Sequence, residues 1–166
     1  MISKKVEAAL SAQLNQELYA AYVYLSMSAY FDSINLDGFA HWMRLQAQEE
    51  LTHSTKVFDF MLEREATVKL IAVKAPPSTW KTPLAACQDA LKSERLNTRQ
   101  INDLVELSFA TKDHATRVFL QWFVDEQVEE EASASKLVEK VKMVKDDKGA
   151  LFILDQELGK RQLAAG

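Results

Sequence analysis

Glycine and proline are scarce in this chain, with four Gly and three Pro in 166 residues. All-β folds need turn residues at every hairpin and long helices do not, so the scarcity argues for helices. There is one cysteine, Cys87, which excludes an internal disulfide and fits a reducing compartment. Cys87 falls on an apolar seam and reads as an inert core thiol. No apolar run approaches the ~18 residues of a membrane span. No secretory signal is visible either, because Glu7 and Gln13 interrupt the apolar stretch after Lys4 and Lys5. The expected setting is cytoplasmic, with no membrane partner. Basic tracts are also missing and the net charge is -4, which argues against a nucleic-acid partner. What remains, 48% hydrophobic and 27% charged residues, suits one domain with a substantial core.

Four segments repeat apolar residues at helical spacing. The first runs from about Lys4 to Asp32, with seam Leu10, Leu14, Glu17, Ala21, Tyr24, Ser28, Phe31. A short polar turn leads to a second, from about Leu36 to Glu65, with seam Phe39, Met43, Gln46, Glu50, His53, Val57, Phe60. So short a turn predicts antiparallel neighbours. Residues 67–82 contain Pro76-Pro77 and read as a strand or an extended linker. A linker is favoured, because no second strand is available to pair with it. About 16 extended residues reach ~50 Å, longer than the ~42 Å of a helix of about 28 residues. The connection can therefore cross the whole bundle, making helices two and three parallel. Trp80 and the apolar residues around Leu70 are expected to pin it to the outside.

Thr82-Pro83 is a helix start, with Thr as N-cap and Pro in the first turn. The third segment reaches about Thr111, with seam Leu84, Cys87, Leu91, Glu94, Thr98, Ile101, Val105, Ser108. Asp113 caps the fourth, which ends near Val144, with seam Thr116, Leu120, Phe123, Gln127, Glu130, Ala134, Leu137, Val141. Leu151 to Leu158 suggest a short fifth helix at about 149–160, too apolar to be left undocked. The expected architecture is all-α: a four-helix bundle over about 4–144, one long crossover between helices two and three, and a short C-terminal fifth helix.

Each long helix departs from apolar character near its midpoint. Glu17, Glu50 with His53, Glu94, and Gln127 with Glu130 would meet in one layer of such a bundle. A single seam glutamate is ordinarily a misread register or a side chain reaching for solvent. Four helices making the same departure at one height have another explanation. Clustered carboxylates repel and lose solvation on burial, and a multivalent cation turns that repulsion into ligation. Carboxylates with one imidazole suit iron, manganese or zinc. Glu50-x-x-His53 aims two ligands from one helix face, and Glu50 is central enough to bridge two cations.

The motifs Asn15-Gln16-Glu17-Leu18-Tyr19, Gln48-Glu49-Glu50-Leu51-Thr52-His53, Glu94 and Gln121 to Glu131 resemble those of ferritins, most closely the non-haem bacterial and archaeal type. The resemblance covers the whole length, residues 1–166, as a single ferritin-like domain with the arrangement seen in ferritin-like carboxylate proteins. It implies two iron positions, one at Glu17, Glu50 and His53 and one at Glu50, Glu94 and Glu130 with Gln127 close by. It implies a third, inner position at Glu49, Glu126 and Glu129, with Glu130 shared. Tyr24 matches the tyrosine beside the paired site, read either as a redox or hydrogen-bonding group or as a core aromatic. Trp122 is similar to a nearby family tryptophan.

The activity implied is ferroxidation: Fe(II) is oxidised by O2 or peroxide, and ferric mineral is deposited inside a shell of twenty-four copies. Helix four offers Gln127-x-x-Glu130 rather than the second Glu-x-x-His of bacterioferritins, which implies iron in transit rather than a fixed centre. Thr52 stands where haem-binding relatives carry methionine, so no haem is expected. Arg117 and Leu120 offer no acidic ring for iron entry, and Gln48, Thr52 and Thr55 offer no acids for mineral nucleation.

Overall fold

The computed structural model describes residues 2–163. It contains α1 (Lys4–Ser33), α2 (Asp37–Glu63), α3 (Pro83–Ala110), α4 (His114–Val144) and α5 (Lys148–Leu158), with no strand among the described residues. The expected all-α bundle with a crossover and a fifth helix is therefore present. Capping explains where the helices start. Ser3, Thr82 and Asp113 each accept from a backbone N–H in the first turn of α1, α3 and α4. Asp147 does the same for α5 through Gly149 and Ala150. The chain has few glycines, and it leaves α1, α2 and α3 through Asn35, Glu65 and Lys112 at positive φ instead.

α1 packs chiefly on α2, and α3 on α4. The crossover settles their relative direction. Thr67 N–H donates to Glu7, Asn15 brackets the segment through Lys69 O and Ile71 N–H, Ser26 donates to Pro77 O, and Trp80 packs edge-on against Tyr30. These contacts climb α1 from its start to its end, so α2 and α3 begin at the same end and run parallel. One part of the expectation fails. Leu70 and Ile71 are 63% and 66% exposed and do not pin the segment. The Asn15 amide does, by pairing with backbone groups that have no sheet partner.

The apolar core is split in two. One cluster gathers Tyr24, Met27, Phe31, Phe39, Met43, Leu91, Leu137 and Leu154 near α5, and the other gathers Leu10, Leu14, Val57, Met61, Ile101, Leu120 and Phe123 at the opposite end. Between them lies the polar layer.

α5 docks through a specific device. The N-cap residue of α2, Leu36, has no side chain to cap with. Buried Asp155 of α5 supplies the acceptor, taking the Phe39 N–H at 3.0 Å. Gly38 permits the approach: a Cβ there would lie 1.7 Å from the Asp155 carbonyl oxygen. At the far end, Arg64 grips Asp113 with two hydrogen bonds of 3.1 Å, tying the end of α2 to the start of α4.

Candidate metal centre

Glu17 of α1, Glu50 and His53 of α2, Glu94 of α3, and Gln127 and Glu130 of α4 are all buried. Ligand atoms of Glu17, Glu50 and His53 lie within 4.8 Å of one another, and so do those of His53, Glu126 and Glu130. His53 is common to both triads. Its Nδ1 is 3.3 Å from Glu50 Oε2, and its Nε2 is 3.8 Å from Glu126 Oε1.

Both Glu50 oxygens and His53 Nδ1 are buried without a hydrogen-bond partner. Orphaned acceptors of this kind are rare in folded proteins, and here they converge. Gln46 adds a third case. Its Nε2 donates to Glu130 at 2.8 Å while its Oε1 is buried and unpaired.

Electrostatics follow from burial. Burial, then the charges of Glu17, Glu94 and Glu130, raises Glu50 well above the carboxylate range. Burial also raises Glu17, against its contact with the facing Glu50 carboxyl and then hydrogen bonds from Gln13 and Asn97. Burial pushes Glu94 up to about 7 and Glu130 up to about 8. For His53 the sign reverses: burial and then the Lys56 charge lower it to about 4. At neutral pH the imidazole is therefore neutral and able to ligate a metal, while the buried carboxyls hold their protons more firmly than usual, protons that a bound cation would replace.

Glu94 joins neither triad. It accepts from the Tyr24 hydroxyl and lies 3.5 Å from Gln127 Nε2, which also donates to the Glu94 carbonyl. Burial and the facing carboxylates hold the Tyr24 hydroxyl protonated, well above its ordinary value. The inner set is partly gathered. Glu126 is raised by burial and by the charges of Glu129 and Glu49, while Glu129 itself is exposed. Glu49 is held by Arg161 at 2.8 Å. Trp122 packs edge-on against His53 at 5.3 Å, with Lys56 over its outer face. The Thr52 hydroxyl bonds back to Gln48 O.

Two participants are absent from the sequence reading. Gln13 donates to Glu17 and to Asn97, each at 2.6 Å, and Asn97 donates to Glu17 at 3.2 Å. Both amides are buried and hold one Glu17 oxygen pair in place. Each sits one position off the expected seam, and the signal that would have found them is an amide flanking a seam glutamate one helical turn away.

Fold and site together define a helical bundle built around a buried carboxylate–imidazole cluster that suits metal ions. The Ferritin-like domain profile matches residues 7–144. The chain is 39% identical to the bacterial non-heme ferritin of Bacteroides fragilis over 161 residues, 97% of this chain and 100% of that protein. It is likewise 39% identical to that of Staphylococcus epidermidis, covering 97% of each. An open-pore ferritin from the hyperthermophilic archaeon Archaeoglobus fulgidus superposes with a TM-score of 0.96 at 54% identity, over 98% of this chain and 100% of that one. A closed form of that ferritin, engineered by site-directed mutagenesis, gives 0.97 at 53%, over 99% and 100%. The chain belongs to the ferritin family.

Proposed function

We propose that this protein stores iron and oxidises it on entry. Two Fe(II) ions bind as substrates, one at Glu17, Glu50 and His53 and one at Glu50, Glu94 and Glu130 beside Gln127, with Glu50 bridging. Each gives up one electron to O2 or peroxide, and the ferric product moves inward past Glu49, Glu126 and Glu129 to a mineral store. The observation that carries this reading is the convergence of unpartnered acceptors, both Glu50 oxygens and His53 Nδ1, in a layer of buried carboxylates. Such a layer is unfavourable with nothing bound and favourable around cations. Gln127 supplies a neutral oxygen where a charged ligand would hold ferric iron more firmly, which favours transit over a fixed centre.

In this reading residues 1–166 act as one unit that assembles into a hollow shell of twenty-four copies in the cytoplasm. Two exposed apolar surfaces are consistent with self-association: Tyr22, Leu25 and Leu51 on the α1–α2 face, and Leu70, Ile71 and Val73 on the crossover.

The test is anaerobic Fe(II) titration followed by oxygen, on the wild type and on Glu130→Ala. The wild type should bind at least two Fe(II) per chain and oxidise them rapidly, and the variant should lose one equivalent and the fast phase. Equal rapid oxidation in both refutes the assigned centre. Fresh Fe(II) should then displace the oxidised iron, and a permanently occupied pair would refute transit.

A further inference from the structure

Arg161 lies just beyond α5, yet it is held at the flank of the buried layer. Its carbonyl accepts from His41 Nε2 at 2.8 Å, and its guanidinium stacks 4.7 Å above the Trp42 ring. Nη1 reaches the Trp42 carbonyl at 3.4 Å, and Nη2 donates to Glu49 Oε2 at 2.8 Å. The side chains of Arg161 and Glu49 are only 23% and 16% exposed. The Asp155–Phe39 cap and the close approach at Gly38 fix the helix that presents Arg161, so this is not the chance contact of a loose end.

Glu49 belongs to the inner acidic group, and its charge is felt at Glu126. A guanidinium stays charged at every accessible pH and occupies a carboxylate with directed N–H donors. A divalent cation needs the same oxygen lone pairs.

We propose that Arg161 is the resident counter-ion of the inner acidic group, and that a metal ion entering this group must displace its guanidinium from Glu49. The inference rests on the reading of Glu49, Glu126 and Glu129 as the inner iron position. Trp42 gives the displaced cation a place to remain, through its ring face and its carbonyl. Arg161 thereby weakens the inner position relative to the paired one, so incoming iron fills the pair first. It also keeps Glu49 neutralised beside Glu126 and Glu129 when no metal is present.

The experiment is anaerobic calorimetric titration of the assembled protein with Zn(II), a redox-inert probe, on wild type, Arg161→Gln, Arg161→Lys and Glu49→Gln. In Arg161→Gln the third equivalent should tighten by about three- to tenfold, and the first two should change less. Arg161→Lys keeps the charge without the planar fork and should fall between. Glu49→Gln should lose the third equivalent. A second readout uses Trp42 as the sole tryptophan, with Trp80 and Trp122 replaced by Phe. Its emission should change as the third equivalent binds, and this change should vanish in Arg161→Gln. If Glu49→Gln loses the third equivalent but both Arg161 variants leave it unchanged or weaker, the role of Arg161 is overturned and the inner position stands. If Glu49→Gln changes nothing, or no third equivalent binds to any form, the inner position itself falls and the inference falls with it.

Discussion

On one side of His53, Glu17 and Glu50 are enclosed, with relative exposures of 0% and 1%. On the other side, Glu126 and Glu49 face a partly open flank, and Arg161 supplies a positive charge. The chemistry of the ligands is the same and the solvation is not. Where water is excluded, carboxylates hold protons, as the rise of Glu50 and Glu94 shows, and Glu130 rises by burial even against the charge of Arg161. Where the flank opens, the Arg161 guanidinium pairs with Glu49 at 2.8 Å. In the proposed function, metal binding on the enclosed side is therefore an exchange of protons for cations, and on the open side it is an exchange of one cation for another.

The largest expected effect separates two adjacent glutamates. Glu50→Ala removes the carboxylate proposed to bridge the two irons on the enclosed side and should slow initial Fe(II) oxidation on the order of 100-fold, near the upper end of what ligand and ligand-support changes cause. Glu49→Ala acts on the open side and should leave the initial rate within about twofold. Stopped-flow absorbance after mixing with oxygen measures both. Equal losses would erase the distinction between the two sides.

Next comes the pH dependence of the metal-free protein. The Glu130 and Glu94 carboxyls, pushed up to about 8 and about 7, keep protons in the folded state that the unfolded chain releases above about 4.5. Their contribution to stability is complete below that value and is lost as pH rises through 7 to 8. His53, lowered to about 4, acts oppositely, and its term is lost as pH falls below about 6.5. Above 6.5 only the carboxylate term changes. Metal-free protein should therefore lose roughly 1–2 kcal/mol between pH 6.5 and 8 from Glu130. Thermal unfolding should show a falling Tm that Glu130→Gln flattens and Glu126→Gln does not. A rising Tm across this window would contradict burial as the dominant cause.

Much of this site is legible in the sequence, because it lies where the helical repeat is strict. Every expected seam position of α1 and α4 is buried. In α3 the reading drifts: Asn97 and Leu104 are buried where Thr98 and Val105 were expected. In α2, Met61 replaces Phe60, which stacks instead on Phe119. A seam written at 3.5 residues per turn slips against a helix of 3.6, here where a four-residue step from Glu94 lands on Thr98 instead of Asn97. That slip hid Asn97. Gln13 was hidden for another reason: a glutamine beside a seam reads as solvated surface unless its neighbour's ligand role is considered. Arg161 carried no periodic signal at all, since the docking of α5 depends on a tertiary cap.

Asn97 gives a smaller effect confined to the enclosed side. Its amide donates to Glu17 and receives Gln13. Asn97→Ala should weaken the Glu17–Glu50–His53 position by about tenfold, because the carboxylate loses orientation rather than identity. Anaerobic Fe(II) titration should show one weakened equivalent, with the third untouched. Weakening of the third instead would mean that the two sides communicate through Glu17.

The smallest effect tests whether the enclosed side is governed by burial alone. Tyr24 is 1% exposed and donates its hydroxyl hydrogen to Glu94, whose carboxyl it lowers against the pull of burial. Tyr24→Phe removes that donor with little change of shape. Such a bond contributes about 1 kcal/mol, so Fe(II) affinity should change by less than about fivefold. The pH dependence should move more visibly. Without the donor, Glu94 holds its proton above about 7, and the midpoint for Fe(II) binding should shift upward. Replacing Trp122, which packs on His53 from the open side, with Phe should leave that midpoint in place. If both substitutions shift it equally, desolvation by bulky aromatics sets the proton affinity. If only Tyr24→Phe does, a single directed hydrogen bond tunes the enclosed carboxylates.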